Sequence, residues 1–299
     1  MVGRSFGSAE VVTAVAARTP LFSPEDEQRV ADVAAQLRGV TRLGVAFSGG
    51  VDSATLLAIA ADALGPENVI ALLGVSASLA ARERELAVAI AAQLQVTLVE
   101  VHTRELQLAA YRRNDADRCF HCKNTLFTSI DDEVVSRHGL DAVAYGENAD
   151  DAIATDRPGQ RAATEHRVLR PLAHAGIDKA AVRRIAAAYH LSVADKPATP
   201  CLASRIAPFT EVTEEKLRQV EVVESVLLDL GFTDVRVRHF GEAARIELPE
   251  EQLSLAAQPA LRHQIVEAAK AAGFAQVSLA LEGLKSGSFS RSLLNSEHD

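Results

Sequence analysis

Apolar residues recur along this chain in two alternating rhythms. Short, largely apolar runs at Leu43–Phe47, Val69–Val75, Thr97–Val101 and Ala142–Tyr145 alternate with longer segments at 54–64, 80–94 and 122–138. Short apolar runs suit strands covered on both faces, and the longer segments suit helices. A further helix is predicted over 24–38, with Ser23 as its N-cap. Strand–helix alternation implies a parallel sheet with right-handed crossovers and helices on both faces. Ligands of such sheets lie beyond the carboxyl ends of the strands. Ser48, Ser76 and Gly146 each follow a strand and should converge there.

After a helix at 178–190 the rhythm changes. Two prolines in Lys196-Pro197-Ala198-Thr199-Pro200 suggest a boundary. Beyond it the pattern predicts helix 213–230, strands 234–239 and 243–248, helix 258–272 and strand 276–280, a smaller α/β module. No internal repeat is evident. Residues 1–23 lack clear periodicity, and the Ser-rich polar tail at 286–299 is expected to fray.

Composition narrows the class. A chain of 299 residues, 48% apolar and 24% charged, has room for a sizeable core and two domains. With no Trp and few aromatics, that core is mainly Ala, Leu, Val and Ile. A net charge of −9 argues against a broad nucleic-acid footprint but leaves room for a local basic patch. No charged n-region precedes an apolar run, and no apolar stretch approaches a membrane span, so a cytoplasmic protein with no membrane partner is expected. Three cysteines are too few, and odd in number, for a disulfide framework.

The most distinctive stretch is Leu43-Gly44-Val45-Ala46-Phe47-Ser48-Gly49-Gly50-Val51-Asp52-Ser53. It reads as strand, tight loop and the start of a helix. The glycines permit a sharp turn and close ligand approach. Loop N–H groups and the helix start aim at one spot, which suits an anion, and Ser48 and Ser53 add hydroxyls. The bland reading is a Gly-rich β–α turn without a ligand. The motif is not a Walker A loop. It resembles the pyrophosphate-binding loop (PP-loop) of ATP pyrophosphatases of the adenine nucleotide α-hydrolase superfamily. Those enzymes cleave ATP between the α and β phosphates and activate a substrate as its adenylate. The resemblance implies ATP at Ala46, Ser48, Gly49, Gly50, Asp52 and Ser53, with Ser76 and Gly146 beside it.

Cys119-Phe120-His121-Cys122 is predicted to sit just before a helix, and Cys201 lies far along the chain. A Cys-x-x-Cys pair can be a redox couple, half a zinc site, part of a [4Fe–4S] site with three cysteines, or a set of buried thiols. Neighbouring Arg118, Lys123 and Arg205 would favour thiolates. Glu147, Asn148, Asp150 and Asp151 follow a strand, and they read either as helix-capping acids or as Mg²⁺ ligands on ATP phosphates. Arg236 and Arg238 alternate on one strand face, as a phosphate clamp or as two exposed arginines.

Three further segments carry a more specific resemblance: Arg118-Cys119-Phe120-His121-Cys122-Lys123-x-x-Leu126-Phe127, Tyr145-Gly146-Glu147-Asn148-Ala149-Asp150-Asp151, and Lys196-Pro197-Ala198-x-x-Cys201-Leu202-Ala203-Ser204-Arg205. With the PP-loop they resemble the LarE family of ATP-dependent sulfur transferases, from about residue 24 to about residue 284. That family helps to make the nickel-pincer nucleotide cofactor. Its members adenylate a carboxylate of pyridinium-3,5-biscarboxylic acid mononucleotide and convert it to a thiocarboxylate.

The resemblance implies a PP-loop domain at 24–195 and a substrate or oligomerisation domain at 196–285, with Cys201 at the junction. It also implies ATP, Mg²⁺ held by Asp52, Glu147 or Asp150, and substrate contacts at Ser204, Arg205, Arg236 and Arg238. The three thiols match members in which Cys119, Cys122 and Cys201 would hold a [4Fe–4S] cluster, its sulfide coming from free sulfide or a cysteine desulfurase. Single-cysteine members instead sacrifice the sulfur at the position of Cys201. A homo-oligomer, a trimer or hexamer, is implied by the same resemblance. Alternatives are another PP-loop thiolase or amide synthetase, or a non-catalytic nucleotide or metal sensor. A tRNA thiolase fits the acidic charge poorly, and an amide synthetase leaves the thiols unexplained.

Overall fold

A computed structural model describes residues 21–153 and 158–284. The predicted extension at its first 20 residues and the tail from Lys285 lie outside the described residues. The chain runs α1 (Pro24–Gln36), β1 (Leu43–Phe47), α2 (Val51–Leu64), β2 (Val69–Val75), α3 (Ala81–Gln93), β3 (Thr97–His102), α4 (Ala109–Arg112), α5 (Arg118–Ser129), α6 (Ser136–His138), β4 (Ala142–Tyr145). It continues through α7 (Ala149–Ile153), α8 (Pro158–Glu165), α9 (Pro171–His174), α10 (Lys179–Ala188), α11 (Glu214–Asp229), β5 (Arg236–Phe240), β6 (Ala243–Glu247), α12 (Leu253–Ala256), α13 (Pro259–Ala271), β7 (Gln276–Leu279).

The first four strands form a parallel sheet in the order β3-β2-β1-β4. One face packs on α1, α2 and α10, through residues such as Val33, Leu57 and Ile185. The other face packs on Phe127, Ile130 and Val134 from α5 and the helical turn after it. This is the predicted PP-loop α/β architecture. A second sheet, β5-β6-β7, pairs β5 and β6 antiparallel and β6 and β7 parallel. Its core is separate, built on Val220, Val237, Phe274 and their neighbours, yet it takes in Tyr111 and Leu202.

Two predicted helix boundaries move, each for a local reason. The helix expected from residue 54 begins at Val51, because Gly50 is already extended and acts as its N-cap. The helix expected from residue 122 begins at Arg118, so Cys119 and Cys122 lie within its first five residues rather than before it. Asp115 starts it early: its side chain accepts from Asp117 N at 3.1 Å, and its carbonyl accepts from Arg118 N. The same rod passes through a π-helical segment, Ile130–Val135, before α6. The short pieces α4, α7, α8 and α9 carry too few turns to show a period.

The two halves are sewn together by polar contacts. Leu202 N donates to Ser78 O at 2.9 Å, and Ala81 N donates to Glu221 Oε1 at 2.7 Å. Lys196 Nζ lies 2.7 and 2.5 Å from the two carboxylate oxygens of Glu83.

At the far end of the first core, Asp26 is buried on α1 and takes a two-pronged contact from Arg184, at 2.9 and 2.8 Å. That contact holds its carboxyl below the ordinary value of 3.8. A carboxyl with a depressed folded-state pKa contributes stability above its unfolded value and loses it as pH falls. Asp26→Asn should therefore cost about 1 kcal/mol at neutral pH, a low figure because Arg184 is half exposed. The difference from the parent should begin to shrink as the pH drops below about 4, the unfolded-state value, and should be lost only as the pH falls through the lower folded-state value. Urea melts at pH 7 and pH 3.5 test it, and a pH-independent difference would count against it.

Candidate functional site

The carboxyl edge of the parallel sheet opens into a cleft of about 940 Å³. Ser48, Gly50, Asp52 and Ser53 form one end, with Ala46, Ser76 and Gly146 at the neighbouring strand ends. The sequence expected these strand ends to converge, and they do. Cys122, Cys201, Arg205 and Arg236 line the cleft farther along. Among the described residues, Gly49, Cys119, Ser204 and Arg238 are not part of its lining.

The loop shapes itself around its own hydroxyls. Ser53 Oγ donates to Gly50 O at 3.1 Å and accepts from Ser48 N at 3.3 Å. The two hydroxyls lie 3.2 Å apart. Gly49 takes a φ of +72°, a conformation that costs glycine little. Gly50 gives α2 no side-chain cap, so the first N–H groups of this helix remain available to an anion. Gly146 meets this helix start closely. A Cβ there would stand 2.7 Å from Ser53 N and 2.8 Å from Asp52 C.

The acidic residues are held by partners. Asp52 accepts from Lys179 Nζ at 2.5 Å and from Asn148 Nδ2 at 2.9 Å. Asp150 accepts from Lys179 N at 2.9 Å, at the start of α10. Glu147 is buried, accepts from Tyr145 O–H at 2.7 Å and has Arg170 3.6 Å away. Among the described residues no three His, Cys, Asp or Glu side chains gather as metal ligands. Mg²⁺ needs no such group, because it commonly takes one or two carboxylates with phosphate and water. Asp52, beside the uncapped helix, fits that role.

Lys179 escaped the sequence reading. Its ammonium faces the PP-loop from the first turn of a different helix and lines the cleft. Its only local signal is the N-cap Asp178 before it, which does not reveal that α10 points at this loop.

The three thiols lie close enough to influence one another electrostatically. Cys119 and Cys201 are exposed, and Cys122 is half-buried. Cys122 feels both other thiols, but burial dominates and pushes its pKa up. The expectation that neighbouring cations favour a thiolate fails for Cys122. Arg118 offsets burial only weakly, Lys123 lies over the Tyr145 ring, 4.5 Å from its centroid, and Arg205 turns away to Glu224. Burial also lowers the pKa of Lys123. Three thiols match in number the ligands of a cluster held by three cysteines, but among the described residues they do not gather at metal-ligand distances.

The predicted arginines are buried. Arg205 donates to Glu224 at 2.9 and 3.2 Å and to Pro200 O at 2.5 Å. Arg236 pairs with Asp234 at 2.6 Å and donates to Ala198 O at 2.7 Å. Arg238 pairs with Glu247 at 2.9 Å and donates to Ser204 O at 3.0 Å. The reading of Arg236 and Arg238 as a solvent-exposed pair is therefore corrected.

No helix among the described residues is long and apolar enough to cross a membrane. A model of the NAD synthase family matches residues 28–126. The chain is 39% identical to an uncharacterized protein of Synechocystis sp., over 83% of this chain and 92% of that one. It is 30% identical to the pyridinium-3,5-bisthiocarboxylic acid mononucleotide synthase of Lactiplantibacillus plantarum, over 89% of this chain and 95% of that one. An uncharacterized protein of Methanocaldococcus jannaschii is 29% identical over 57% of this chain and 65% of its own length.

The close approach at Gly146 makes a sharp prediction. Gly146→Ala forces a methyl against backbone that cannot swing aside, and overpacking of this kind costs about 1–3 kcal/mol. Its melting temperature should fall clearly, whereas Gly139→Ala, with open space but a φ of +61°, should lose less. Equal losses in thermal melts would show that the contact is relieved elsewhere.

Proposed function

The chain belongs to the LarE family of PP-loop proteins, and from that premise we propose that it is an ATP-dependent sulfur transferase in nickel-pincer cofactor synthesis, acting on pyridinium-3,5-biscarboxylic acid mononucleotide. The observation that carries this reading is one continuous cleft with an uncapped, anion-ready helix start at one end and two cysteines farther along. Adenylation and sulfur transfer need those two kinds of chemistry side by side.

ATP phosphates lie on the first N–H groups of α2, with Ser48 and Ser53 as further donors. Lys179 neutralises the phosphates, and Asp52 would hold the Mg²⁺ that screens their charge. A substrate carboxylate oxygen attacks the α phosphorus. The new O–P bond forms as the bond to the β-phosphate bridging oxygen breaks, and pyrophosphate leaves with the electron pair. Fixed donors on the departing charge lower this barrier because they need no reorganisation. A sulfur nucleophile then adds to the acyl carbon and expels AMP, leaving a thiocarboxylate. Cys119, Cys122 and Cys201 would hold a [4Fe–4S] cluster, which would supply the sulfur at the sulfide level. The mononucleotide phosphate binds at Arg236, which lines the cleft, and must replace or share the Ala198 carbonyl as its acceptor, while Arg238, off the cleft lining and paired with Glu247, supports the same strand.

Two experiments test the two halves. Pyrophosphate and AMP should form when ATP, Mg²⁺ and the dicarboxylate mononucleotide are supplied. Lys179→Ala and Asp52→Ala should each slow their formation by about 10²-fold, the usual cost of one transition-state charge contact. Unchanged rates in both would put the ATP site elsewhere.

Protein reconstituted without oxygen should hold about four irons per chain. Any one Cys→Ala change should abolish that binding, and sulfide should support repeated turnover without mass loss from the polypeptide. Zinc alone, or conversion of Cys201 to dehydroalanine after one turnover, would replace this reading with a structural metal or a sacrificial cysteine.

A further inference from the structure

Asn114 lies between α4 and α5, away from the residues lining the cleft, yet every polar atom it has is in use. It is 2% exposed and takes a φ of +55°, a left-handed conformation that Asn tolerates better than most residues. Its Nδ2 donates to Ala207 O at 2.8 Å and to Ile206 O at 3.3 Å. Its Oδ1 accepts from Arg118 Nη1 at 2.5 Å. Its carbonyl accepts from Phe209 N, and its N–H donates to Tyr111 O, both at 3.1 Å. Arg118 uses the same Nη1 to reach Ala203 O at 2.9 Å, and its guanidinium lies beside Cys119 and Cys201.

These contacts join two segments that are distant in sequence. One leads directly into the helix start that bears Cys119 and Cys122. The other is the stretch 203–209 that follows Cys201. Nearby, Val212 N donates to Arg112 O at 2.9 Å, and Arg112 pairs with Glu211 at 3.0 Å. The Arg112–Glu211 pair is largely exposed and worth little. The Asn114 contacts are buried and cannot be exchanged for water without penalty.

We propose that Asn114 is a positioning residue that sets the spacing of Cys201 from Cys119 and Cys122, acting through Arg118 and the carbonyls of Ala203, Ile206 and Ala207. This rests on the reading of the three thiols as one functional unit. Asn suits the position twice over: its backbone accepts the left-handed turn, and its amide presents two donors to the Cys201 side and one acceptor to the cysteine helix. Asp would keep the shape and the acceptor but set a carboxylate against two carbonyl oxygens. Gly would keep the turn and lose all three side-chain contacts.

The test uses the full chain and two variants, Asn114→Asp and Asn114→Gly. In cluster-free protein, a short dibromobimane bridge should join Cys201 to Cys119 or Cys122, read by peptide mass spectrometry. Both variants should lose about tenfold of that yield, while pyrophosphate release with ATP and the mononucleotide stays within about twofold of the parent, because only the relative placement of the thiols changes. Iron retained after anaerobic reconstitution should fall with the crosslink. An unchanged crosslink yield in either folded variant overturns the proposal. So does a parallel loss of crosslinking and pyrophosphate release, which marks Asn114 as merely structural. Should the parent release no pyrophosphate or hold no iron, the proposed function fails, and the crosslinking arm, which needs no ligand, still decides the role of Asn114.

Discussion

Cys201 lies just ahead of a single short 3₁₀ turn, on a segment whose carbonyls have few helix or ladder partners. Four guanidinium groups supply them. Arg236 reaches Ala198 O, Arg205 reaches Pro200 O and Cys201 O, Arg118 reaches Ala203 O, and Arg238 reaches Ser204 O. Each buried charge is tolerable only because a carboxylate or several oxygens meet it. Glu224 is the central counter-charge: its Oε1 takes Arg205 at 2.9 Å and the Val237 backbone N–H at 2.8 Å. One carboxylate thus fixes α11, β5 and the Cys201 loop together. Removing it would leave Arg205 charged and dry at the centre of the module.

The nucleotide half was largely legible in the sequence, since its signals are local. Apolar runs gave the strands within a residue or two, and Ser48-Gly49-Gly50 fixed the turn between β1 and α2. The helix boundaries were less legible. Asp115 starts α5 early through a side-chain bond that no hydrophobic period announces. Lys179 was missed because its value lies in where α10 is aimed, and that depends on its packing against α2, distant in sequence, through residues such as Leu57 and Ile185. Arg236 and Arg238 show the opposite failure. Alternation placed them on one face correctly, but the carbonyls they serve lie near residue 200 and leave no mark around residue 237.

The cysteines combine both situations. Their segments stood out in the sequence, yet their state depends on burial. Cys122 sits in a helix turn packed near Tyr111 and Glu105, and taking charge away from water there outweighs the help of Arg118. Cys122 is therefore held as a thiol. Asn114 and Arg118 span the gap between the cysteine helix and the Cys201 side. What holds the cysteine-bearing segments near one another is thus hydrogen bonding between side chains and backbone, with Arg118 bonded to Cys119 as well.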